Sequence, residues 1–356
     1  MANLQFLKEL SLVNGISGHE KKATRVMKKY MEDSADEIIY DNLGSIIGVK
    51  KGTGPLKVLL TGHIDEIGFI VKEIDEQGFI HVQPVGGWMG QNLPSSLMTI
   101  TTRDDREIPG VFGSTPPHGK TAEERNKVIA PADSFIDIGA SSKKEAKELG
   151  ICLGDPITPV SEFTLMANPK NIMSKAWDDR IGAAVVVEVM RHFKGKDIYP
   201  TLYCAGTVQE EVGLRGAKTV GQMIKPDIAI AIDVTFSQDL PGQKGDVKLG
   251  SGVALSVMDG SVIAHTGLLK TMEKICKELS IPYEMDMIAA GGTDSGELSK
   301  VEAGVINLTL SIPSRYMHSH RTIINTDDFD ATVQLLTAFL EKLNDELYQE
   351  IIQDKR

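Results

Sequence analysis

The sequence predicts an α/β protein in which a three-layer α/β/α domain is interrupted by a small β-barrel. Apolar strands alternate with helices up to residue 68 and again from about residue 174, a pattern typical of helices packed on both faces of a sheet. Between residues 69 and 159, short alternating runs are punctuated by Gly and Pro, which indicates a small barrel. We therefore expect one domain formed by residues 1–68 and 160–356, and an inserted β-rich domain formed by residues 69–159.

The composition is that of an ordinary globular protein, with 41% apolar and 24% charged residues in 356. The net charge of −11 argues against a nucleic-acid partner, which would require a basic face. No apolar run approaches membrane-spanning length, and the first ten residues lack a signal-peptide layout. The cysteines are odd in number and widely spaced, so neither a disulfide framework nor a thiolate zinc site is expected: Cys152, Cys204 and Cys276. These features together favour a cytoplasmic protein.

The N-terminal part of the chain shows helical periodicity followed by apolar strands. We expect helices from about Asn3 to Val13 and from Glu20 to Tyr30, with Ser17 preceding the second helix. Strands are expected at Ser45–Lys50 and Lys57–Gly62. The second strand is almost wholly apolar, as in a buried sheet, and leads directly into His63-Ile-Asp65.

The inserted region contains alternating runs that predict antiparallel strands: Phe69–Ile74, Phe79–Gln83, Leu97–Thr102 and Glu107–Phe112. Only Lys143–Leu149 has a helical pattern here. His81 and His118 have no carboxylate at ligand spacing, so we interpret them as ordinary strand and loop residues.

The α/β pattern returns in the second half of the chain. It predicts the helices 183–193, 217–224 and 267–279 and the strands 201–208, 228–232 and 305–310. A final helix capped by Thr326-Asp327 is expected to run to about Tyr348.

Glu210 and Glu211 are adjacent carboxylates at the end of an apolar strand. Side chains alternate along an extended chain, so these two should point in different directions. If one of them binds a metal, the other is free to act as a base on an activated water. Taken alone, such a pair is more often a solvated turn.

The polar residues that surround this pair share one placement. Four segments follow the ends of apolar strands, and a fifth begins a helix: His63-x-Asp65, Glu210-Glu211, Asp233, His318 and Asp178. Each has an ordinary alternative, such as an interior histidine, a helix cap, a strand turn or a surface residue. Because sites in α/β sheets form outside the carboxyl ends of the strands, we expect the segments to converge. Two imidazoles with several carboxylates suit Zn²⁺, Co²⁺ or Mn²⁺ and suffice for two ions with a bridging carboxylate.

Six motifs in the same order give the chain a resemblance to a known family. They are Gly62-His-Ile-Asp-Glu-Ile-Gly68, Ala176-Trp-Asp-Asp-Arg-Ile-Gly182, Thr207-Val-Gln-Glu-Glu-Val-Gly-Leu-Arg-Gly216, Ala231-Ile-Asp-Val234, Gly291-Gly-Thr-Asp-Ser-Gly296 and Arg315-Tyr-Met-His-Ser319. The chain resembles the glutamyl aminopeptidase family of co-catalytic metallopeptidases, the tetrahedral aminopeptidases. Some members of that family have been labelled endo-1,4-β-glucanases. The resemblance covers essentially the whole chain.

The resemblance implies a role for each residue of the converging set. His63 and Asp233 would hold one divalent ion and Glu211 and His318 another, with Asp178 bridging the two. Asp65 would orient His63, and Glu210 would be the general base. The ions implied are Zn²⁺ or Co²⁺, with Mn²⁺ possible.

The activity implied is metal-dependent hydrolysis of N-terminal residues from short peptides. The resemblance also implies a zinc-peptidase-like catalytic domain and subunits that assemble through the inserted domain into a homododecamer. One departure from the family pattern concerns a nearby loop, where Ser251 and Val253 replace an expected Gly-x-Gly-Pro.

Two other functions compete with the peptidase hypothesis. A glycoside hydrolase needs only two carboxylates, but it would leave His63 and His318 without a role, and aromatic residues are only 5% of the chain. A non-catalytic, metal-stabilised assembly protein would give no reason for Glu210 beside a complete ligand set.

Overall fold

The computed structural model describes residues 3–119 and 121–355, and it contains a large mixed sheet and a closed barrel. The helices are α1 (Leu4–Leu12), α2 (Lys21–Met31), α3 (Ala122–Asn126), α4 (Lys143–Glu148), α5 (Trp177–His192), α6 (Arg215–Ile224), α7 (Thr266–Leu279), α8 (Ser295–Leu298), α9 (Thr326–Lys342) and α10 (Asp345–Gln353). No helix in the described part of the chain is both long and apolar enough to span a membrane.

The strands of the large sheet come from both ends of the chain. They are β1 (Glu37–Tyr40), β2 (Ile46–Lys50), β3 (Lys57–His63), β10 (Thr164–Leu165), β11 (Asn171–Ser174), β12 (Thr201–Thr207), β13 (Ile228–Phe236), β14 (Val253–Met258), β15 (Tyr283–Met287), β16 (Ile306–Arg315) and β17 (Thr322–Asn325). Their order is β1-β2-β12-β3-β13-β16-β17-β11-β10, with β14 and β15 branching from β16. The central strands β12, β3, β13 and β16 are mutually parallel, so their carboxyl ends share one edge.

Helices cover both faces of this sheet, which makes the domain three-layered. Alternate residues of β3 face opposite ways: Val58 and Leu60 pack in the core beneath α1, α2, α5, α7 and α9, whereas Leu59 packs against α6 and α8. Strand β13 is buried along almost its whole length, as expected for a parallel strand between two layers. The predicted α/β architecture is therefore confirmed.

The inserted segment closes into an antiparallel barrel with its own apolar core. Its strands are β4 (Gly68–Ile74), β5 (Ile80–Val85), β6 (Leu97–Thr101), β7 (Glu107–Phe112), β8 (Phe135–Asp137) and β9 (Pro156–Pro159), paired in the order β4-β5-β8-β7-β6-β9. Phe69, Ile100 and Phe112 lie fully buried at its centre. The prediction of an inserted barrel is confirmed, and closure removes the exposed strand edges that an open sheet would present.

The C-terminus differs from the single helix that the periodicity predicts. Leu343 has an extended backbone, and the side chain of Asn344 accepts a hydrogen bond from the Leu347 amide, which starts a new helix. The predicted Thr326-Asp327 cap is also wrong, because Asn325 performs that role by accepting from the Asp327 amide at 2.8 Å.

An ion pair between Asp239 and Arg315 ties the loop after β13 to the end of β16. Two hydrogen bonds of 2.8 and 2.6 Å join the guanidinium to the carboxylate. These bonds, together with one from Ser237, outweigh partial burial and lower the pKa of Asp239 to about 2.

Replacing this carboxylate should destabilise the fold in a pH-dependent way. Because the folded-state pKa is depressed, the stabilisation is complete above the unfolded value of about 3.9 and is lost as the pH falls towards 2. We expect Asp239→Asn to lower the unfolding free energy by about 1 kcal/mol at pH 7, and the gap to shrink between pH 4 and pH 2. Urea unfolding of wild type and variant at pH 7, pH 4 and pH 2 measures this difference in unfolding free energy. Asp104→Asn, which breaks a more exposed pair with Arg106, is the control and should change little. A gap that widens on acidification would contradict this account.

Candidate metal centre

The register of the parallel strands places the candidate residues at one edge of the sheet. His63, at the end of β3, is paired with Thr207, at the end of β12. Ala231 of β13 is paired with Thr61, so Asp233 comes level with His63 two residues later. The turn that follows β12 carries Glu210 and Glu211 past the same edge. Convergence of these distant segments therefore follows from strand order.

Asp178 lies at the start of α5, where the backbone is not yet helical. Ala176 is left-handed, with φ of 55°, and the peptide bond between Asp178 and Asp179 is cis. One carboxylate oxygen of Asp178 is 3.1 Å from Nε2 of His63, and the other is 3.2 Å from Nε2 of His318. A single carboxylate thus lies between two imidazoles, one oxygen facing each.

The side chain of the neighbouring Asp179 is directed into the protein interior, where it binds backbone amides. It is fully buried, and its carboxylate accepts hydrogen bonds from the His63 amide at 3.1 Å and the Gly182 amide at 3.0 Å. A Cβ on Gly182 would lie 2.4 Å from that carboxylate, so only glycine fits there. Asp179 therefore fixes the backbone of His63 relative to α5.

The two adjacent glutamates approach different imidazoles, although they lie in a turn after the left-handed Gln209 and not on an extended strand. Glu210 Oε2 is 3.9 Å from Nε2 of His63, and Glu211 Oε1 is 3.8 Å from Nε2 of His318. Possible ligand atoms of His63, Asp178 and Glu211 all lie within 4.8 Å of one another. The same holds for His63, Glu210 and Asp233. All the predicted metal ligands and the predicted base are thus brought together.

Asp65 does not face the other carboxylates but holds the loop that carries them. Its oxygens accept hydrogen bonds from the Glu210 amide at 3.0 Å, the Glu211 amide at 3.1 Å and the Ser17 hydroxyl at 2.6 Å. Nδ1 of His63 lies 3.5 Å from this carboxylate and 3.1 Å from the Asp65 carbonyl. Both are acceptors, so Nδ1 carries a proton and Nε2 is the nitrogen directed at Asp178, a hydrogen-bond donor when the ring is doubly protonated and a ligand when an ion is bound.

Three carboxylates at this edge are buried close together and have raised pKa values, whereas burial of Asp178 is outweighed by hydrogen bonds from His318 and His63, which lower the pKa of that carboxyl. Burial raises the pKa of Glu211 to about 8, and the charge of Asp178 adds to the effect. Burial also raises the pKa values of Glu210 and Asp233 well above their usual range, and nearby carboxylates reinforce the shift. Glu211 Oε1 is buried without a hydrogen-bond partner among the described residues.

The pKa values of both histidines are raised as well. The hydrogen bond with Asp178 raises the pKa of His318 to about 10, despite partial burial. Burial alone would lower the pKa of His63, but Glu210, Asp178 and Asp65 together raise it well above its usual value. In the absence of metal, the side chains of this cluster therefore bind protons, which offset the negative charge of the carboxylates. Divalent cations could replace these protons.

The geometry fits such ions. Ligands about 2.0–2.2 Å from one tetrahedral ion are separated by roughly 3.4 Å. The two separations between Asp178 and the imidazoles, 3.1 and 3.2 Å, are close to this value. The unpartnered oxygen of Glu211 supplies a further ligand atom. The donor set of imidazoles and carboxylates is one that Zn²⁺, Co²⁺ and Mn²⁺ accept.

Sequence reasoning assigned no role to Ser17 or Asp294. Ser17 precedes α2 as predicted, but its hydroxyl is directed to Asp65. Asp294 is buried and accepts a 2.6 Å hydrogen bond from Thr207, at the end of β12, while its second oxygen has no partner among the described residues. The Gly291–Gly296 motif pointed to Asp294 without indicating its contact. For Ser17 no local signal existed, because Asp65 is 48 residues away.

Two histidines of the barrel domain and one wider cleft are separate features that include none of the candidate ligands. His81 pairs with Asp75 inside the barrel domain, and His118 is exposed, in agreement with their interpretation as ordinary residues. A wider cleft between α2 and the barrel is lined by Lys21, Arg25 and Arg103, and it contains none of the predicted ligands.

Comparison with known proteins identifies the family of this chain. The sequence profile of the M42 glutamyl aminopeptidase family matches residues 44–335. A glutamyl aminopeptidase from Lactococcus lactis is 34% identical over 352 residues, covering 97% of this chain and 98% of the relative. A lysyl aminopeptidase from Pyrococcus furiosus is 33% identical, with coverage of 96% and 98%. The chain belongs to the M42 family, and it is an aminopeptidase.

Solved structures of related proteins have the same fold. A TET aminopeptidase from Thaumarchaeota archaeon SCGC AB-539-E09 has a TM-score of 0.94 at 36% identity, covering 98% of this chain and 99% of its own. TET1 of Pyrococcus horikoshii, which assembles into a tetrahedron or a large octahedral shell, has a TM-score of 0.87 at 31% identity, with coverage of 96% and 100%. A Thermotoga maritima protein described as an endoglucanase has a TM-score of 0.77 at 28% identity, with coverage of 98% of each chain.

Replacing Asp65 should disorder the glutamate loop and weaken metal binding. Asn keeps one acceptor but presents an amide NH₂ towards groups that are themselves donors. We expect Asp65→Asn to lower metal affinity about 10–100-fold and to reduce kcat. Metal content after dialysis, measured beside peptide hydrolysis, tests this.

The Ser17→Ala variant provides a graded comparison for that experiment. It removes only one of the donors to Asp65, so its effect should be smaller and in the same direction. If Asp65→Asn retains wild-type metal content and turnover, the carboxylate does not control the loop.

Proposed function

We propose that the protein is a two-metal aminopeptidase acting on short peptides. In this proposal, His63 and Asp233 hold one ion, Glu211 and His318 hold the second, and Asp178 bridges them. The observation that carries the proposal is the position of the Asp178 carboxylate between the two imidazoles. Zn²⁺ and Co²⁺ suit this set of imidazole and carboxylate ligands best, and Mn²⁺ is a further candidate.

When bound, the two ions would supply Lewis-acid activation of the scissile carbonyl and of a water molecule. Glu210 is the general base of the proposal. Its buried carboxylate, with one oxygen 3.9 Å from Nε2 of His63, would accept a proton from water and pass it to the leaving amine. Asp65 positions both Glu210 and His63 through the contacts described above. No covalent nucleophile is required.

The substrate is proposed to be a peptide with a free N-terminus. The free α-amino group would sit on one of the ions or on a nearby carboxylate, which would confine hydrolysis to the chain end. Relatives are named for glutamyl and lysyl specificity, so the family alone does not fix the preferred residue. A scan of aminoacyl-nitroanilides with defined added metals would identify it.

A glycoside hydrolase accounts less well for the site. Two carboxylates would suffice for that chemistry, but the two imidazoles held against Asp178 would have no part in it. Reducing ends released from a soluble glucan, without any release of amino acid from peptides, would favour the glucanase alternative.

We further propose that subunits assemble through the inserted barrel, as a homododecamer in the cytoplasm. Exposed apolar side chains on the barrel support the first part: Leu97 and Leu153 are 59% and 68% exposed, and Val160 lies beside Leu97. A related TET1 structure is a dodecamer. The three cysteines are free, which suits a reducing compartment. A closed assembly would restrict entry to short peptides.

The main test of this function is to replace each of the two glutamates in turn. Glu210→Gln should keep both ions and lower kcat by about 10²–10⁴-fold with little change in KM, because only the proton acceptor is lost. Glu211→Gln should lose one ion and regain part of its activity in excess metal. Metal content and nitroanilide hydrolysis are measured for both variants.

The same measurements can overturn the proposed roles. If Glu210→Gln drops an ion while Glu211→Gln keeps both and loses turnover, the two roles are exchanged. If neither substitution changes metal content or turnover, the catalytic centre lies elsewhere.

The assembly proposal is tested on the barrel surface. A lysine placed in an interface costs desolvation energy, so Leu97→Lys and Val160→Lys should lower the particle mass measured by light scattering. Met223→Lys replaces a comparably exposed apolar residue on α6 and should leave the mass unchanged. A wild-type protein that is fully active as a monomer would refute the proposal.

A further inference from the structure

One loop of the inserted barrel reaches the candidate metal centre. Gly86, Gly87 and Trp88 follow β5, and we call them the barrel loop. The carbonyl of Gly87 lies 2.8 Å from Nδ1 of His318. A carbonyl can only accept, so Nδ1 carries a proton and Nε2, which faces Asp178 and Glu211, is the nitrogen available to bind an ion. A backbone atom from the inserted domain therefore sets the tautomer and direction of this imidazole.

The two glycines lie against both side chains proposed to hold the second ion. A Cβ on Gly87 would come within 2.9 Å of Nδ1 of His318. A Cβ on Gly86 would come within 3.1 Å of a Glu211 oxygen and 2.4 Å of the Ile67 side chain. Gly86 also has a φ of +76°, which other residues rarely adopt. The backbone of the loop thus forms one wall of the site, with no space for side chains.

Trp88 fixes this wall to the barrel core. Its indole N–H donates to the Gly68 carbonyl at 3.1 Å. Its ring stacks on Phe69, with centroids 5.1 Å apart, and Phe69 in turn packs edge-on against Phe112 at 5.0 Å. Phe69 and Phe112 belong to the buried core of the barrel. The position of the Gly87 carbonyl therefore depends on the packing of the inserted domain.

We propose that the barrel loop is a positioning element that tunes the affinity of the ion shared by Glu211 and His318. This inference rests on the ligand roles proposed above. Ligating histidines are oriented by an acceptor on the other ring nitrogen, and loss of that acceptor weakens metal binding. Here the acceptor belongs to the inserted domain, so packing of the barrel and occupancy of one ion are coupled. By linkage, binding of that ion must stabilise the loop in return.

The first experiment is the substitution Gly87→Ala in the full-length protein. The added methyl group would displace the His318 ring, because it would lie 2.9 Å from Nδ1. It would not strain the backbone, because Gly87 is not in a left-handed conformation. We expect the affinity for one of the two Co²⁺ ions to fall about 10–100-fold, with the other affinity unchanged. The visible absorption of bound Co²⁺ should shift, and turnover should recover in excess metal. Gly119→Ala is the control, since its Cβ would meet only a methyl group of Thr115 at 3.2 Å.

The second experiment uses wild-type protein and does not depend on any loop variant folding. Amide hydrogen exchange of a peptide covering residues 86–89 is compared with Co²⁺ bound and after chelation. Coupling predicts slower exchange with the metal bound, and loss of this difference in His318→Ala. An exchange rate that is the same with and without metal in wild-type protein would overturn the inference.

Comparison with His318→Ala separates failure of this inference from failure of the proposed function. If His318→Ala retains both ions with wild-type affinity, the proposed ligand set is wrong. If His318→Ala loses one ion while Gly87→Ala binds both normally, the ligand set stands and the barrel loop has no positioning role. Trp88→Phe, which keeps the stacking and removes the hydrogen bond to Gly68, should give an effect smaller than that of Gly87→Ala.

Discussion

The structure depends on the burial of several carboxylates at one sheet edge. Asp178, Glu210, Glu211 and Asp233 are removed from water within a few ångströms of one another, an arrangement that is unfavourable without compensating positive charge. Without metal, protons and two imidazoles supply that charge. The same arrangement gives divalent cations a high-affinity position. The features around the site either hold the carboxylates together or orient the imidazoles between them.

Three carboxylates carry out most of this organisation without facing the centre themselves. Asp65 holds the amides of the glutamate loop and Asp179 holds the amide of His63, whereas Asp294 accepts from the side-chain hydroxyl of Thr207 at the end of β12. A carboxylate that accepts hydrogen bonds from the backbone fixes the direction of the side chains next to those amides. The site therefore has an inner group of acids that face one another and an outer group that controls the main chain.

A buried pair of cations connects the same edge to the N-terminal segment. Lys175 donates to Glu66 and to Asn14, both at 2.8 Å. Arg180 is fully buried and donates to the carbonyls of Leu10 and Val13. Because Ser17 follows this segment and donates to Asp65, the first turns of the chain are coupled to the glutamate loop. Breaking one member of such a network leaves an unpaired buried charge, which is strongly destabilising.

Local pattern in the sequence determined the architecture and the identity of the polar residues at the strand ends. Strand–helix alternation, the β-rich insert and the placement of His63, Asp178 and Asp233 could be predicted, because periodicity and strand ends are local properties. The break at Leu343 could not, since apolar residues at helical spacing continue on both sides of it, and the Asn325 cap could not, since Thr326 and Asp327 are residue types that also cap helices. Only the tertiary structure showed that Asp65 accepts from the Glu210 and Glu211 amides and that Gly87 accepts from His318. These contacts join residues 145 and 231 positions apart, and only chain packing decides which distant backbone group meets a given side chain.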